Sequence, residues 1–193
     1  MNFIITISRE YGSGGRFIGK LIAEKLGISF YDNELLEKAA NISGISQGCV
    51  ENFDETKDGA FSYAQGLYGM DMSLGQKVFL AQFDVIKRLA KEESCVIVGR
   101  CADYALRHNP DLKSIFIYAP IEKRIETIMK RFDLTEDKAK SQINKEDKGR
   151  ASYYNYYTSK KWGSIDSYDI CINSSLMSAE KTVDFIIEYL DAM

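Results

Sequence analysis

With 193 residues, 45% of them apolar and 27% charged, the chain has the composition of a soluble globular protein with one sizeable core. Its net charge of −3 gives no electrostatic case for a nucleic-acid polymer as partner. No stretch nears the ~18 apolar residues that a membrane span needs, and four cysteines with a single histidine, His108, show no zinc-ligand spacing.

The chain enters an apolar strand at once, Phe3–Ser8, with no charged leader or small-residue cleavage site, so a cytoplasmic location is expected. Three glycines follow, Gly12, Gly14 and Gly15, and then a helical pattern over Arg16–Leu26 that Gly27 stops. A strand running into glycines and then a helix presents backbone N–H groups and a positive dipole end to an anion. This is the layout of a phosphate-binding loop, here Gly12, Ser13, Gly14, Gly15, Arg16 and Phe17. The standard signature is GxxxxGK[ST], whose lysine reaches the β/γ-phosphates and whose hydroxyl holds magnesium. The lysine's place falls near Gly15, Arg16 is the first cation after the glycines, and no Ser or Thr follows. A literal GxxxxGK run at Gly14–Lys20 is a decoy, because Gly19 and Lys20 belong inside the helix.

A second strand, Ile28–Tyr31, leads to Asp32. Asp32 suits a role toward acceptor hydroxyls or metal-bound water; it suits equally the N-cap of a helix at Glu34–Ala40, and both readings stand. It also lies where a dinucleotide-binding fold places its ribose acid, but Arg9–Tyr11 separate the strand from the glycines and Phe17 stands at the third glycine position.

The stretch 41–75 turns Gly/Ser-rich and irregular, and a helix is predicted over Gln76–Glu93. Cys95–Val98 reads as a buried strand ending in Gly99-Arg100, where an arginine can clamp a phosphate or simply pair with Asp103. Cys95 and Cys171 read as core thiols. Strand Ser114–Ala119 precedes a helix at Glu122–Phe132 carrying Arg124 and Arg131 on one face. Residues 133–167 are charged and then tyrosine-rich. In that stretch Lys145 and Lys148 read as a solvated charge run, while Asp147 stands where it could orient Arg150. Tyr153, Tyr154, Tyr156, Tyr157 and Trp162 read first as packing, with base stacking as the rival. Strand Tyr168–Ile172 and helix Ser178–Leu190 close the chain. Near-continuous apolar strands alternating with helices predict an α/β fold with a parallel sheet.

The segments ITISREYGSGGR, FYDNELL, VIVGR, IFIYAPIEKRIETIMKR, EDKGRASYYNYYT and YDICINSS, in this order, resemble the nucleoside monophosphate kinases, most closely the cytidylate kinase-like family. The resemblance implies a P-loop NTPase fold of three layers around a five-stranded parallel sheet. It implies one domain over 1–193: core 1–32, 77–132 and 168–193, an acceptor-binding insertion at 33–76 and a lid at 133–167. It implies that Gly12–Phe17 cradle ATP phosphates, that Asn173 and Ser174 border the donor adenine, and that Asp32, Arg100 and Asp103 bind the acceptor. Arg131, Asp147 and Arg150 match the lid end of the family's catalytic arginine set, and Arg16 is expected to replace the loop lysine in contacting the β/γ-phosphates. The implied cofactors are ATP and Mg2+, the ion held mainly by phosphate oxygens and water. The implied partners are a nucleoside triphosphate and a small phosphorylated acceptor such as CMP or dCMP, with no polymer and no membrane. Family members carry Gly-Lys-Gly-Thr where this chain has Gly14-Gly15-Arg16-Phe17, and an Asp where it has Cys101. A nucleotide-binding regulator without turnover and a dinucleotide-dependent reductase are the alternative readings.

Overall fold

The computed structural model describes residues 3–32 and 74–192. The elements in chain order are β1 (Ile4–Arg9), α1 (Gly15–Leu26), β2 (Ser29–Tyr31), α2 (Leu74–Glu92), β3 (Cys95–Val98), the short α3 (Ala102–Ala105), β4 (Leu112–Tyr118), α4 (Ile121–Phe132), α5 (Glu136–Thr158), a 3₁₀ turn (Ile165–Ser167), β5 (Ile170–Asn173) and α6 (Ala179–Asp191). The predicted helix at Glu34–Ala40, Cys49 and nearly all of the 33–76 insertion lie outside the described residues.

All five strands pair in parallel, in the order β2-β3-β1-β4-β5. Ile7 registers with Val98 on one side, and Arg9 with Ile117 on the other. The neighbour of β1 on the first side is β3, not β2. A dinucleotide-binding sheet runs 3-2-1-4 and puts β2 beside β1, so this order excludes that alternative.

Side chains of successive strand residues point to opposite faces, and both faces are covered. Ile5, Ile7, Val96, Val98, Ile115 and Ile117 pack under α1 and α6 with Ile18, Ile22, Val183 and Ile186. Ile4, Cys95, Ile97 and Phe116 pack on the other face with Phe83, Ile86 and Leu89 of α2, Ala102 and Ala105 of α3, and Tyr154 of α5. These are three layers, helix–sheet–helix, with the carboxyl ends of β1, β3 and β4 along one edge.

The charged and tyrosine-rich stretch contains one long helix, α5. Its first half packs Ala139 and Ile143 on Ile125 and Ile128 of α4. Its second half lays Tyr157 flat on Phe79, ring centroids 3.9 Å apart, while the Tyr153 hydroxyl donates to Gln82 at 3.1 Å. Trp162 meets Phe116 edge-on. Packing is therefore the role of these rings; Tyr156, 57% exposed, is the exception.

Candidate active site

The loop between β1 and α1 is fixed from below. The Glu10 N–H donates to the Ile117 carbonyl at 3.0 Å, and the Ser13 hydroxyl donates to the Glu10 and Ile117 carbonyls at 2.9 and 3.1 Å. Ser13 is thus a latch that ties the loop to β4. The first backbone bond of α1 runs from the Ile18 N–H to the Gly14 carbonyl. No side chain caps the helix, and no acid stands in its first turn. Its leading amides, at Gly15–Phe17, are those that helix geometry leaves for an anion. Gly12, at φ 82°, lies against α4: a Cβ there would sit 3.1 Å from both Cβ and O of Arg124.

Arg124 is the buttress. Its Nε donates to the Ala119 carbonyl at 3.0 Å, its Nη1 to the Tyr11 carbonyl at 3.3 Å, and its guanidinium pairs with Glu10 at 3.3 Å and with Asp147. Asp147 also accepts from the Tyr11 N–H at 2.7 Å, and Glu10 from the Ala119 N–H at 3.0 Å. Burial pushes the Glu10 carboxyl above its ordinary range, opposed by the Ala119 N–H and the Arg124 charge. The expectation that Asp147 orients Arg150 is thus replaced: its two oxygens serve Tyr11 and Arg124, which reach it because α5 crosses α4 beneath the loop.

Two clefts meet at the loop and share Gly12, Gly14 and Thr127. The smaller, about 250 Å³, is lined by Ser13, Ala119, Lys123, Lys130, Ser174 and Ser175. The Ser174 hydroxyl donates to the Ser13 carbonyl at 2.6 Å, which ties the end of β5 to the loop. Asn173 turns its side-chain oxygen to the N–H and hydroxyl of Ser175 at 3.0 and 2.7 Å, so it shapes this edge rather than lining it.

The larger cleft, about 430 Å³, gathers Arg9, Arg16, Arg100, Arg131 and Arg150 around Asp32, with Gly15 and Phe17 also on its wall. Arg16 directs its Nε onto Asp32, and Asp32 is buried while Arg16 is half-exposed. Arg100 is buried, and with Gly99 and Cys101 it forms a run of three left-handed residues at φ 80°, 57° and 52°. Two of these carry side chains, a conformation that costs ~1–3 kcal/mol per residue and clusters at functional sites. Arg150 donates to the Arg9 carbonyl at 3.1 Å and lies over the Tyr11 ring at 5.3 Å. Burial and then the charge of Glu146 push the Tyr11 phenol up, while Arg131 and Arg150 pull it down, so these charged groups converge on one ring.

The structure thus brings Gly12, Gly14–Phe17, Asp32, Arg100, Arg131 and Arg150 to one cleft edge, and does not bring Asp103 there. Asp103 is 7% exposed, and its carboxylate accepts from the Tyr154 hydroxyl at 2.6 Å, tying α3 to α5 inside the core. Lys20 lies on the outer face of α1, paired with Glu24 one turn on, which agrees with reading its GxxxxGK match as a decoy. Lys145 and Lys148 are exposed. Sequence reasoning missed Arg9 and the buttress role of Arg124. The signal for Arg9 was present: counted back from Gly14, it holds the first glycine's place in the standard signature.

The sequence profile of the cytidylate kinase-like family matches residues 4–176. The chain belongs to that family. It is 30% identical to a cytidylate kinase of Archaeoglobus fulgidus over 194 aligned positions, covering 97% of this chain and 94% of that one. A cytidylate kinase of Pyrococcus horikoshii is also 30% identical, with 97% and 90% covered. Among solved structures, an uncharacterized protein from Eubacterium ventriosum superposes with a TM-score of 0.77 at 32% identity over the full length of both chains. A shikimate kinase from Bacteroides thetaiotaomicron gives a TM-score of 0.58 at 16% identity, with 98% of each chain covered, and bears on the fold alone. The fold of this family member is that of the P-loop kinases, as its sheet order and loop position indicate. Among the described residues no helix is long and apolar enough to cross a membrane.

Proposed function

We propose that this chain transfers the γ-phosphoryl group of ATP to the phosphate of a nucleoside monophosphate, with CMP or dCMP as the acceptor class. The observation that carries this reading is the larger cleft: five arginines against the three acids Glu10, Asp32 and Glu146, on a wall that also includes Gly14–Phe17 at the start of α1. An acceptor phosphate and a triphosphate brought together carry several negative charges, and catalysis of such a transfer is positioning plus charge dispersal.

In the step itself an oxygen of the acceptor phosphate forms a bond to the γ-phosphorus. The bond from that phosphorus to the β,γ-bridging oxygen breaks, and ADP departs with the electron pair. Arg100, rigid at the end of β3, holds the acceptor phosphate. Arg131 from α4 and Arg150 from α5 flank the moving group, and Asp32 with Arg16 forms the acceptor wall. The smaller cleft, beside Ser174, takes the donor's base. Residues 133–167 serve as the lid and 33–76 as the acceptor-binding insertion.

The residues of the loop do not form a magnesium site. Arg16 stands where the signature has its hydroxyl, Ser13 is buried with its hydroxyl turned down onto the Glu10 and Ile117 carbonyls, and among the described residues no cluster of three acidic, His or Cys groups is placed to hold a metal. We therefore assign the ion to the nucleotide's own phosphate oxygens and water, as magnesium tolerates.

A second reading, a nucleotide-binding regulator without turnover, is favoured by one observation: the loop has glycine at the lysine's place. Measuring ADP formation with CMP, dCMP, UMP, AMP and GMP in turn separates the two. Turnover with a pyrimidine monophosphate supports the kinase, and ATP binding without ADP release from any acceptor supports the regulator.

A further inference from the structure

The loop differs from the standard signature in a coordinated way. Counting GxxxxGK[ST] from the end of β1, the first glycine is Arg9, the second is Gly14, the lysine is Gly15 and the hydroxyl residue is Arg16. The chain has gained a cation at the strand end and lost one at the helix start. The two positions are in contact. A Cβ built on Gly15 would lie 2.6 Å from the Arg9 Cβ and 3.2 Å from its Cγ, with the Ile117 Cβ at 3.1 Å behind it. A separation of 2.6 Å is far inside carbon–carbon contact, which lies near ~3.5–4 Å. The stem of Arg9 fills the space into which a lysine at position 15 would start. Gly15 is buried between Arg9 and Ile117, so a side chain there would have to displace one of them.

Arg9 is also held for the purpose. Its backbone is in register with Ile117 inside the sheet, and its carbonyl accepts from Arg150. Its side chain lines the larger cleft with Arg16, Arg100, Arg131 and Arg150. Arg16, expected from the sequence to replace the lysine, turns its Nε onto Asp32 instead.

We propose that Arg9 does the work of the missing loop lysine, reaching the β/γ-phosphate oxygens of the bound triphosphate from the strand end instead of the helix start. This rests on the reading of the site as a triphosphate-binding kinase cleft. An arginine there presents a planar fork that can bridge two phosphate oxygens, where lysine presents a single point charge. In this account the glycine at position 15 is required by the arginine at position 9, and neither change is tolerated alone.

The test is a swap in the full chain. Arg9→Ala, Arg9→Gly, Gly15→Lys and Arg9→Gly/Gly15→Lys are compared with wild type and with Lys20→Ala as a control on the outer face of α1. ADP formation with the best acceptor, binding of a fluorescent ATP analogue and of a fluorescent AMP analogue, and thermal melting are read for each. Arg9→Ala and Arg9→Gly are expected to lower kcat/KM by about 100-fold or more, the scale of losing one preorganised transition-state donor. Gly15→Lys is expected to lose activity as well, because its Cβ meets Arg9. The double variant is expected to recover at least about tenfold over Arg9→Gly, a gain of ~1.4 kcal/mol in transition-state binding. Lys20→Ala is expected to match wild type. Arg9→Ala within threefold of wild type overturns the proposal, and so does a folded double variant no better than Arg9→Gly. If wild type forms no ADP with any acceptor, the kinase reading fails and the binding arm decides the role of Arg9. Loss of the triphosphate analogue with the monophosphate analogue retained then supports it, and equal loss of both or of neither overturns it. A wild-type chain that binds no triphosphate overturns both readings.

Discussion

Helix α4 carries two arginines two turns apart, and they are built into opposite kinds of environment. Arg124 lies beneath the phosphate loop, 8% exposed, with the Ala119 and Tyr11 carbonyls and the Glu10 and Asp147 carboxylates around it. Arg131 lies at the other end of the helix, exposed, on the wall of the larger cleft and over the Phe132 ring at 5.2 Å. Residue type and helix are the same; the supply of acceptors differs. Where the protein itself surrounds a guanidinium with oxygens, the arginine fixes the backbone. Where it stands exposed on a cleft wall that five arginines share with Glu10, Asp32 and Glu146, positive charge is in excess and favours an anionic ligand. The floor beneath the loop is electrostatically closed, and the cleft beside it is cation-rich.

Removing the floor should have the largest effect. Arg124→Ala leaves Glu10 and Asp147 as half-buried carboxylates without their cation, and breaking such a pair typically costs about 3–5 kcal/mol. For a chain of this size that is a drop in melting temperature of roughly 10 °C, checked by calorimetry; a melting curve that overlays the wild type breaks the comparison. Arg131→Ala should do the converse. Turnover falls by about 100-fold, while stability stays within about 0.5 kcal/mol, as for exposed sites in general. Steady-state kinetics beside the same melting experiment reads both, and a stability loss without a rate loss would reverse the assignment of the two arginines.

A smaller effect sharpens the boundary between core and cleft. Asp103 is held above its ordinary 3.8 by burial, against the pull of the Tyr154 hydroxyl and of the Lys160 charge. A carboxyl raised in the folded state binds more protons there than in the unfolded chain. Its contribution to stability is therefore present below the ordinary value and is lost as pH rises through the raised one. Asp103→Asn, which keeps an acceptor for Tyr154, should flatten that decline. Melting temperatures from pH 3 to 7 for both proteins test this; parallel curves would show that Asp103 is not the titrating group. Smallest of all, Tyr156→Ala should leave stability within about 0.5 kcal/mol, whereas Tyr157→Ala should cost about 1–2 kcal/mol for a half-buried ring stacked on Phe79. Urea melts of the two variants distinguish a packed ring from an exposed one.

The sheet and its edge were legible in the sequence because parallel strands are unbroken apolar runs, and Cys95–Val98 was read to the residue. Helix ends followed from Gly27 and from the apolar spacing of α1, α2 and α6. Helix α5 was harder. Its buried residues change partner along its length, from Ala139 and Ile143 on α4 to Tyr154 against the sheet, so no single apolar stripe marks it. Asp103 read as a cleft residue because it stands near Gly99-Arg100 in sequence, but α3 carries it onto Tyr154. The partners of Arg124 come from three separate segments, and no spacing rule joins Glu10, Ala119 and Asp147 before the chain has folded. The exchange between Arg9 and Gly15 needed coordinates, because the sequence shows two departures from a signature but not that they occupy the same space.

A cation-rich cleft can hold a phosphoryl group or move one, and transfer is what makes the protein a kinase. The most direct measurement is to incubate the protein with ATP labelled in its γ-phosphate and with CMP or dCMP, and to follow the label by chromatography. Label is expected to leave ATP and to appear in the pyrimidine nucleoside diphosphate, one for each ADP formed. Label that stays in ATP, or appears only as free phosphate, with the triphosphate bound and each acceptor present in excess, would contradict it.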